Sequence, residues 1–243
     1  MNISIDGKIL KTISGETILD VARREGISIP TLCYHEAFGG QGSCRLCTVE
    51  IVEHSRRRMV ASCTYPVTEG LEVLTRTPQL VKLRRNIIML LYKRAPASEL
   101  IQKLYEEYGA PDNNLAVNDG ERCILCRLCV MACQKIGNNA ITTVLRGTEK
   151  RVSTPYDEAS DACIGCGSCA RVCPTGAIEL LEQMNQRKIW NKTFELVACE
   201  KCGEPWATRE QLNMVSDRLG TKQTLCDNCR GSNLAEKLSL YMA

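Results

Sequence analysis

Ile3 and Ile5 alternate with polar residues and Ile9 resumes beyond Asp6-Gly7, which predicts a tight β-hairpin at the start of the chain. Thr17 with Asp20 forms a capping-box pattern. Ile18, Val21 and Ala22 give the helix that follows an apolar face, and Gly26 stops it. Pro78 is predicted to open a second helix, with Leu80, Leu83, Ile87, Leu90 and Leu91 as its apolar stripe and Lys82, Arg84 and Arg85 outside. Pro96 breaks it, and Leu100, Ile101, Leu104 and Tyr108 mark a short third helix ending at Gly109. Further on, Thr208 and Gln211 read as another capping box, Leu212, Val215 and Leu219 as a stripe, and Gly220 as its stop. Strands and helices together predict an α+β chain.

One residue type dominates the chemistry. Sixteen cysteines fall into four groups of four, with none left over. Thiolate quartets hold iron–sulfur clusters or zinc. A disulfide scaffold is the bland reading, but no N-terminal stretch combines a basic region, an apolar core and a cleavage site. CxxC repeats then point to metal in a reducing compartment, and a cytoplasmic location is expected. The 243 residues suit two or three small domains, and with two Phe and two Trp no single large aromatic core is expected. Clusters would act as the staples such domains need.

The formal charge of +3 is near balance. Its one dense basic run, Arg56-Arg57-Arg58, reads as a solvated hairpin tip, so no nucleic-acid partner is expected. The longest apolar candidate, Ile87 to Tyr92, is far too short to insert in a membrane. No strand-linked GxGxxG, Walker loop or nucleophile elbow occurs, so catalysis by this chain alone is not expected.

Residues 1–77 read as strand, turn, strand, helix and cysteine loop, the order of a β-grasp ferredoxin. Cys33, Cys44 and Cys47 lie in the loop with Gly39, Gly40 and Gly42, and Cys63 follows on a later strand. Glycines suit a backbone that wraps closely around a cluster. The runs Ser43-Cys44-Arg45-Leu46-Cys47-Thr48-Val49-Glu50 and Ser62-Cys63-Thr64-Tyr65-Pro66-Val67, with Glu69-Gly70, resemble the N-terminal domain of the complex I large iron–sulfur subunit. NAD-linked hydrogenases and formate dehydrogenases share that domain. The resemblance implies a [2Fe–2S] cluster on Cys33, Cys44, Cys47 and Cys63. A Rieske site needs two ligating histidines, whereas all four cysteines are present here; His35 and His54 are read as surface or hydrogen-bonding residues.

Residues 78–120 form a helical bridge, with Pro111-Asp112-Asn113-Asn114 as the linker out of it. The resembled family carries a further cluster on one histidine and three cysteines here. No histidine or cysteine occurs between Cys63 and Cys123, so that cluster is absent and the chain reads as a trimmed relative.

Within residues 121–182, Cys123, Cys126, Cys129 and Cys133 recur 40 residues later as Cys163, Cys166, Cys169 and Cys173. Each run is the bacterial two-cluster ferredoxin signature, whose fourth cysteine ligates the other cluster. One [4Fe–4S] cluster is therefore assigned to Cys123, Cys126, Cys129 and Cys173, and a second to Cys163, Cys166, Cys169 and Cys133. Gln134 stands where a proline is usual, and Arg146-Gly147-Thr148 occupies an enlarged turn between Val144 and Val152.

Residues 183–243 carry two knuckles, Cys199/Cys202 and Cys226/Cys229. This pairing reads as a tetrahedral zinc site, with an iron–sulfur cluster or mononuclear iron as alternatives. The run Cys199-Glu200-Lys201-Cys202-Gly203-Glu204-Pro205-Trp206-Ala207 resembles the C-terminal extension of an iron–sulfur subunit of formate hydrogenlyase-type complexes. Trp190, Trp206 and the stripe Leu234, Leu238 and Tyr241 could anchor it to a neighbour or pack within the tail.

The expected function is electron transfer within a hetero-oligomeric oxidoreductase. The resemblance implies a flavin-bearing NAD(P)H diaphorase subunit on one side, a hydrogenase or formate dehydrogenase subunit on the other, and ferredoxin as a third partner if the complex bifurcates electrons. A stand-alone carrier, a succinate dehydrogenase or fumarate reductase iron–sulfur subunit, and a zinc-based interaction protein are the rival readings.

Overall fold

A computed structural model describes residues 1–53 and 56–232 of the chain. They divide into two compact units: Met1–Met131 with Val172–Ala177, and Ala132–Arg171 with the chain from Ile178 on. His54, Leu234, Leu238 and Tyr241 lie outside the described residues.

In the first unit the elements are β1 (Asn2–Ile5), β2 (Lys8–Lys11), α1 (Ile18–Arg24), the short ribbon β3 (Tyr34–His35) and β4 (Gly39–Gly40), then β5 (Thr48–Glu53), β6 (Arg56–Ala61) and β7 (Glu72–Leu74). Five of the strands form a sheet in the order β2-β1-β7-β5-β6, with β1 parallel to β7 and the other pairs antiparallel. The capping box is complete: Thr17 accepts from the Asp20 amide, and the Asp20 carboxylate accepts from the Thr17 amide at 2.9 Å. Ile3, Ile5, Ile18, Leu19, Ile51 and Val73 form the core under the sheet.

Two expectations for this sheet need correction. Ile3 pairs with Leu10, and Ile9 sits opposite Ser4 on the outer face, 77% exposed. The tight turn sets the register, and a one-residue difference reverses which side chain faces the core. Arg56, Arg57 and Arg58 begin β6 rather than a hairpin tip; Arg57 pairs with the buried Glu50 and Arg58 donates to the Tyr65 hydroxyl.

Two helices follow, α2 (Pro78–Arg94), capped by Thr77, and α3 (Glu99–Glu107). The buried face of α2 is Leu80, Arg84, Ile88 and Met89, while Leu90 is 51% exposed. The stripe is thus rotated from the predicted one, and Arg84 points inward.

The helix α4 (Leu128–Ile136) belongs to the second unit from Ala132 on. There β8 (Thr142–Val144) and β9 (Arg151–Ser153) pair around a 3-10 turn at Gly147–Glu149, where the enlarged turn is predicted. The short helix α5 (Ser168–Arg171) precedes a four-stranded antiparallel sheet, β10 (Leu181–Gln183), β11 (Gln186–Ile189), β12 (Lys192–Ala198) and β13 (Pro205–Thr208). Its inward residues alternate, with Arg187 and Ile189 buried on β11 and Phe194 and Leu196 on β12. The last helix, α6 (Arg209–Leu219), is capped by Thr208 and closed by Gly220 at φ 66°. The reciprocal half of its capping box is missing, because Gln211 Oε1 has no partner among the described residues, and no α6 residue is fully buried. Among the described residues no helix is long and apolar enough to cross a membrane.

Candidate cluster and metal sites

Cys33 precedes the β3–β4 ribbon, Cys44 and Cys47 lie in the loop before β5, and Cys63 follows β6; all four are buried. The loop must pass close to its last ligand. A Cβ on Gly40 would lie 2.4 Å from the Cys63 Cβ and carbonyl oxygen, so only glycine fits. Arg45, between Cys44 and Cys47, takes a left-handed φ of 60°, and the Cys44 amide donates to Cys33 Sγ at 3.4 Å. The thiols are strongly coupled. Hydrogen bonds from Cys44 and Cys63 pull the Cys33 thiol far down, and Cys63 brings Cys47 to about 6, while Cys33 drives Cys44 and Cys63 up. Sulfurs packed this closely oppose one another's ionisation, and a bound cation would let all four be thiolates.

Arg84 braces this loop. Its guanidinium, 7% exposed, donates to the carbonyls of Leu46, Thr48 and Thr75 at 3.3, 2.9 and 2.9 Å. Leu46 and Thr48 flank Cys47, and the Cys47 thiolate is among the charges that favour the cation. All three acceptors are neutral carbonyls; a buried guanidinium here suits an anionic cluster. His35 stacks on Phe38 at 4.9 Å and accepts from the Ala37 amide at Nδ1, a local hydrogen-bonding role.

Cys123, Cys126, Cys129 and Cys173 all fall in the first unit. Cys173 lies near enough to act electrostatically on both Cys123 and Cys126. Burial pushes the Cys126 thiol up to about 11. Amides of Leu125 and Ala177 donate to the sulfurs of Cys123 and Cys173 at 3.4 and 3.3 Å. Glu121 accepts from the Cys123 amide at 2.8 Å and pairs with Arg94 at 3.4 Å. One apolar cluster contains Cys33, Cys44, Leu46, Ile124, Cys126 and Leu128, so two quartets share a packed, apolar wall.

In the second unit Cys133, Cys163, Cys166 and Cys169 line one pocket, with Ile141 and Trp190 among its walls. The Ala140 amide donates to Cys133 Sγ at 3.1 Å, and burial pushes Cys169 up to about 11. The donor set and the Ala140 amide aimed at sulfur fit a cluster at this position.

In the tail quartet the sulfurs of Cys199, Cys202, Cys226 and Cys229 all lie within 4.8 Å of one another. The Cys202 and Cys226 sulfurs are 3.8 Å apart. A tetrahedron with Zn–S bonds of about 2.3 Å has edges of about 3.8 Å. A cube of four irons and four sulfides needs its ligands spread further. Backbone amides of Cys226 and Cys202 hold the Cys199 thiol down to about 6.

The sequence reading puts Arg84 outside its helix, leaves Trp190 as an anchor for a neighbour or a residue packed within the tail, and passes over Lys192. Trp190 donates its indole N–H to Cys169 Sγ at 3.4 Å, which places it inside the unit rather than free for a neighbour. Lys192 donates to the carbonyls of Ser160 and Cys163, each at 3.2 Å.

Comparison with known proteins agrees with this organisation. Residues 1–78 match the 2Fe-2S iron-sulfur cluster binding domain, and residues 122–177 and 162–204 match the 4Fe-4S dicluster domain. The chain is 32% identical over 210 residues to NADP-reducing hydrogenase subunit HndD of Solidesulfovibrio fructosivorans, covering 73% of this chain and 36% of that protein. It is 36% identical over 227 residues to the NADPH-Fe(3+) oxidoreductase alpha subunit of Geobacter sulfurreducens, covering 83% and 26%. The NADH-ubiquinone oxidoreductase 75 kDa subunit of Reclinomonas americana is 30% identical over 203 residues, covering 73% and 29%. The chain thus spans between about a quarter and somewhat over a third of these relatives. A crystal structure of an NAD+-reducing [NiFe]-hydrogenase superposes with a TM-score of 0.62 at 29% identity, covering 72% of this chain and 85% of that one. The chain is similar to iron–sulfur subunits of NAD(P)-linked oxidoreductases, and it carries a 2Fe-2S domain, a 4Fe-4S dicluster domain and a compact four-cysteine group.

Proposed function

We propose that this chain is an electron-transfer subunit that relays single electrons between a flavin-bearing NAD(P)H diaphorase subunit and a hydrogenase or formate dehydrogenase subunit. The observation that carries the reading is the apolar cluster that packs Cys33 and Cys44 with Cys126. It packs two ligand sets into one core, and the closeness this gives is what electron hopping requires. Cys33, Cys44, Cys47 and Cys63 would hold a [2Fe–2S] cluster. Cys123, Cys126, Cys129 and Cys173 would hold one [4Fe–4S] cluster, and Cys133, Cys163, Cys166 and Cys169 another. Bound clusters supply one-electron chemistry, so the hydride of NAD(P)H must be split by flavin on a partner.

The chain's own residues do the positioning. Arg84 fixes the carbonyls on either side of Cys47 and brings a positive charge to a site that gains negative charge on reduction. Gly40 lets the backbone approach Cys63. The tail quartet is assigned to a single zinc ion, supported by its 3.8 Å sulfur spacing. Ferredoxin as a third partner, as in electron bifurcation, and a cytoplasmic location complete the proposal. Anaerobic purification of the native assembly tests it. The chain should co-elute with a flavoprotein, and NAD(P)H should bleach its visible absorption; a chain that elutes alone, as a carrier would, contradicts the reading.

A further inference from the structure

The tail sheet grips one loop of the second unit at successive carbonyls. Lys192 donates to Cys163 O, Thr208 Oγ1 to Ile164 O and Arg187 to Gly165 O. Those three residues are the stretch just before Cys166. Phe194 closes the same loop, because a Cβ on Gly165 would meet its ring at 2.6 Å. Beyond the carbonyls, the indole of Trp190 donates directly to the Cys169 sulfur. Arg187 is itself paired with Glu182, so its charge is locally balanced. The Lys192 ammonium instead rests on two carbonyls and over the Phe194 ring. An N–H donor and an ammonium therefore both face one cysteine quartet.

The other four-iron quartet accepts backbone amides at Cys123 and Cys173, as this one does at Cys133, but its charged company differs. Cys123 lies beside the Glu121 carboxylate, whose charge Arg94 offsets, and Cys126 senses the Cys33 thiolate. Reduction adds one electron and one negative charge to a cluster, with no bond made or broken. A donor to a ligand sulfur and a nearby cation favour the added charge, and neighbouring thiolates oppose it.

We propose that the tail hairpin, through Trp190 and Lys192, raises the reduction potential of the cluster held by Cys133, Cys163, Cys166 and Cys169, making it the first of the two [4Fe–4S] clusters to accept an electron. The inference rests on the cluster assignment proposed above. Trp190 and Lys192 are positioning residues here, and the electron would come from reduced flavin or, in the test, from dithionite.

The experiment is an EPR-monitored potentiometric titration of the full chain with and without Trp190→Phe, which keeps the ring and removes one N–H. A charge-assisted hydrogen bond of this kind favours the reduced form roughly tenfold. The variant should therefore lower one [4Fe–4S] midpoint by about 59 mV and leave the other in place. Cys173→Ser, which removes a ligand of the other cluster, identifies which signal moved. If both midpoints shift together, or the second is unchanged or rises, the proposal is overturned. Should Trp190→Phe lose iron, Lys192→Met and Lys192→Arg replace it: Met should lower the same midpoint and Arg should restore it, and equal effects overturn the proposal. Wild-type protein without [4Fe–4S] signals would instead sink the cluster assignment itself.

Discussion

The two copies of the cysteine repeat solve one backbone problem with different residues. In the first copy Leu125 and Arg127 take left-handed φ values of 56° and 65°; in the second, Gly165 and Gly167 occupy the matching positions at 66° and 73°. The conformation turns successive amides toward sulfur in both copies, and it recurs regardless of side chain. Glycine is demanded only where a neighbour fills the space. A Cβ at Gly165 would meet the Phe194 ring at 2.6 Å, and one at Gly167 would meet Leu180 Cδ1 at 2.7 Å. The first copy carries side chains at both positions, at a backbone cost of about 1–2 kcal/mol each. The ligand loop is thus common to both copies, and the environment laid against it makes them unlike.

The largest test of that contrast exchanges ligands. Cys173→Ser should remove the cluster of Cys123, Cys126 and Cys129, lowering iron from about ten to about six per chain while the second signal persists. Loss of the second signal instead would mean each run serves its own cluster. Cys226→Ser comes next. It should release the tail zinc with iron unchanged, and hasten air bleaching of the second cluster alone. The physical link is short: β12 runs directly into Cys199, whose amide donates to Glu204 O at 2.9 Å just before β13. Equal bleaching of both clusters would separate the tail from this role.

Smaller effects probe the loops themselves. Gly165→Ala combines left-handed strain with a clash against a buried ring and should cost about 2–4 kcal/mol in thermal unfolding of the second unit. Arg127→Gly, at an exposed position, relieves the same strain and should stabilise by up to about 1 kcal/mol. If both substitutions are neutral, the covering of the second copy is not what selects its glycines.

Much of the first unit is legible in sequence because local chemistry fixes it. Asp6-Gly7 turns the hairpin and Thr17 with Asp20 caps α1, each within a few residues. The cysteine spacings are legible for a stronger reason, since few chemistries other than metal ligation need thiols in such runs. Arg84 is not legible. Helical spacing puts it on the Leu80 face, but its charge reads as solvent-facing, and the carbonyls that accept from it come from residues 46, 48 and 75. The same holds for Trp190, whose partner Cys169 lies across a hairpin and a loop. Long-range polar contacts leave no periodicity, so they appear only once the chain is folded. The spacing of the tail knuckles leaves zinc and iron both open, and the short sulfur-to-sulfur distance favours the single ion.

Iron, acid-labile sulfide and zinc per chain, measured on anaerobically prepared protein, test the central claim most directly. One two-iron and two four-iron clusters with a mononuclear tail site predict about ten irons and one zinc. Colourless, iron-free protein that still passes electrons between its partners would contradict the account.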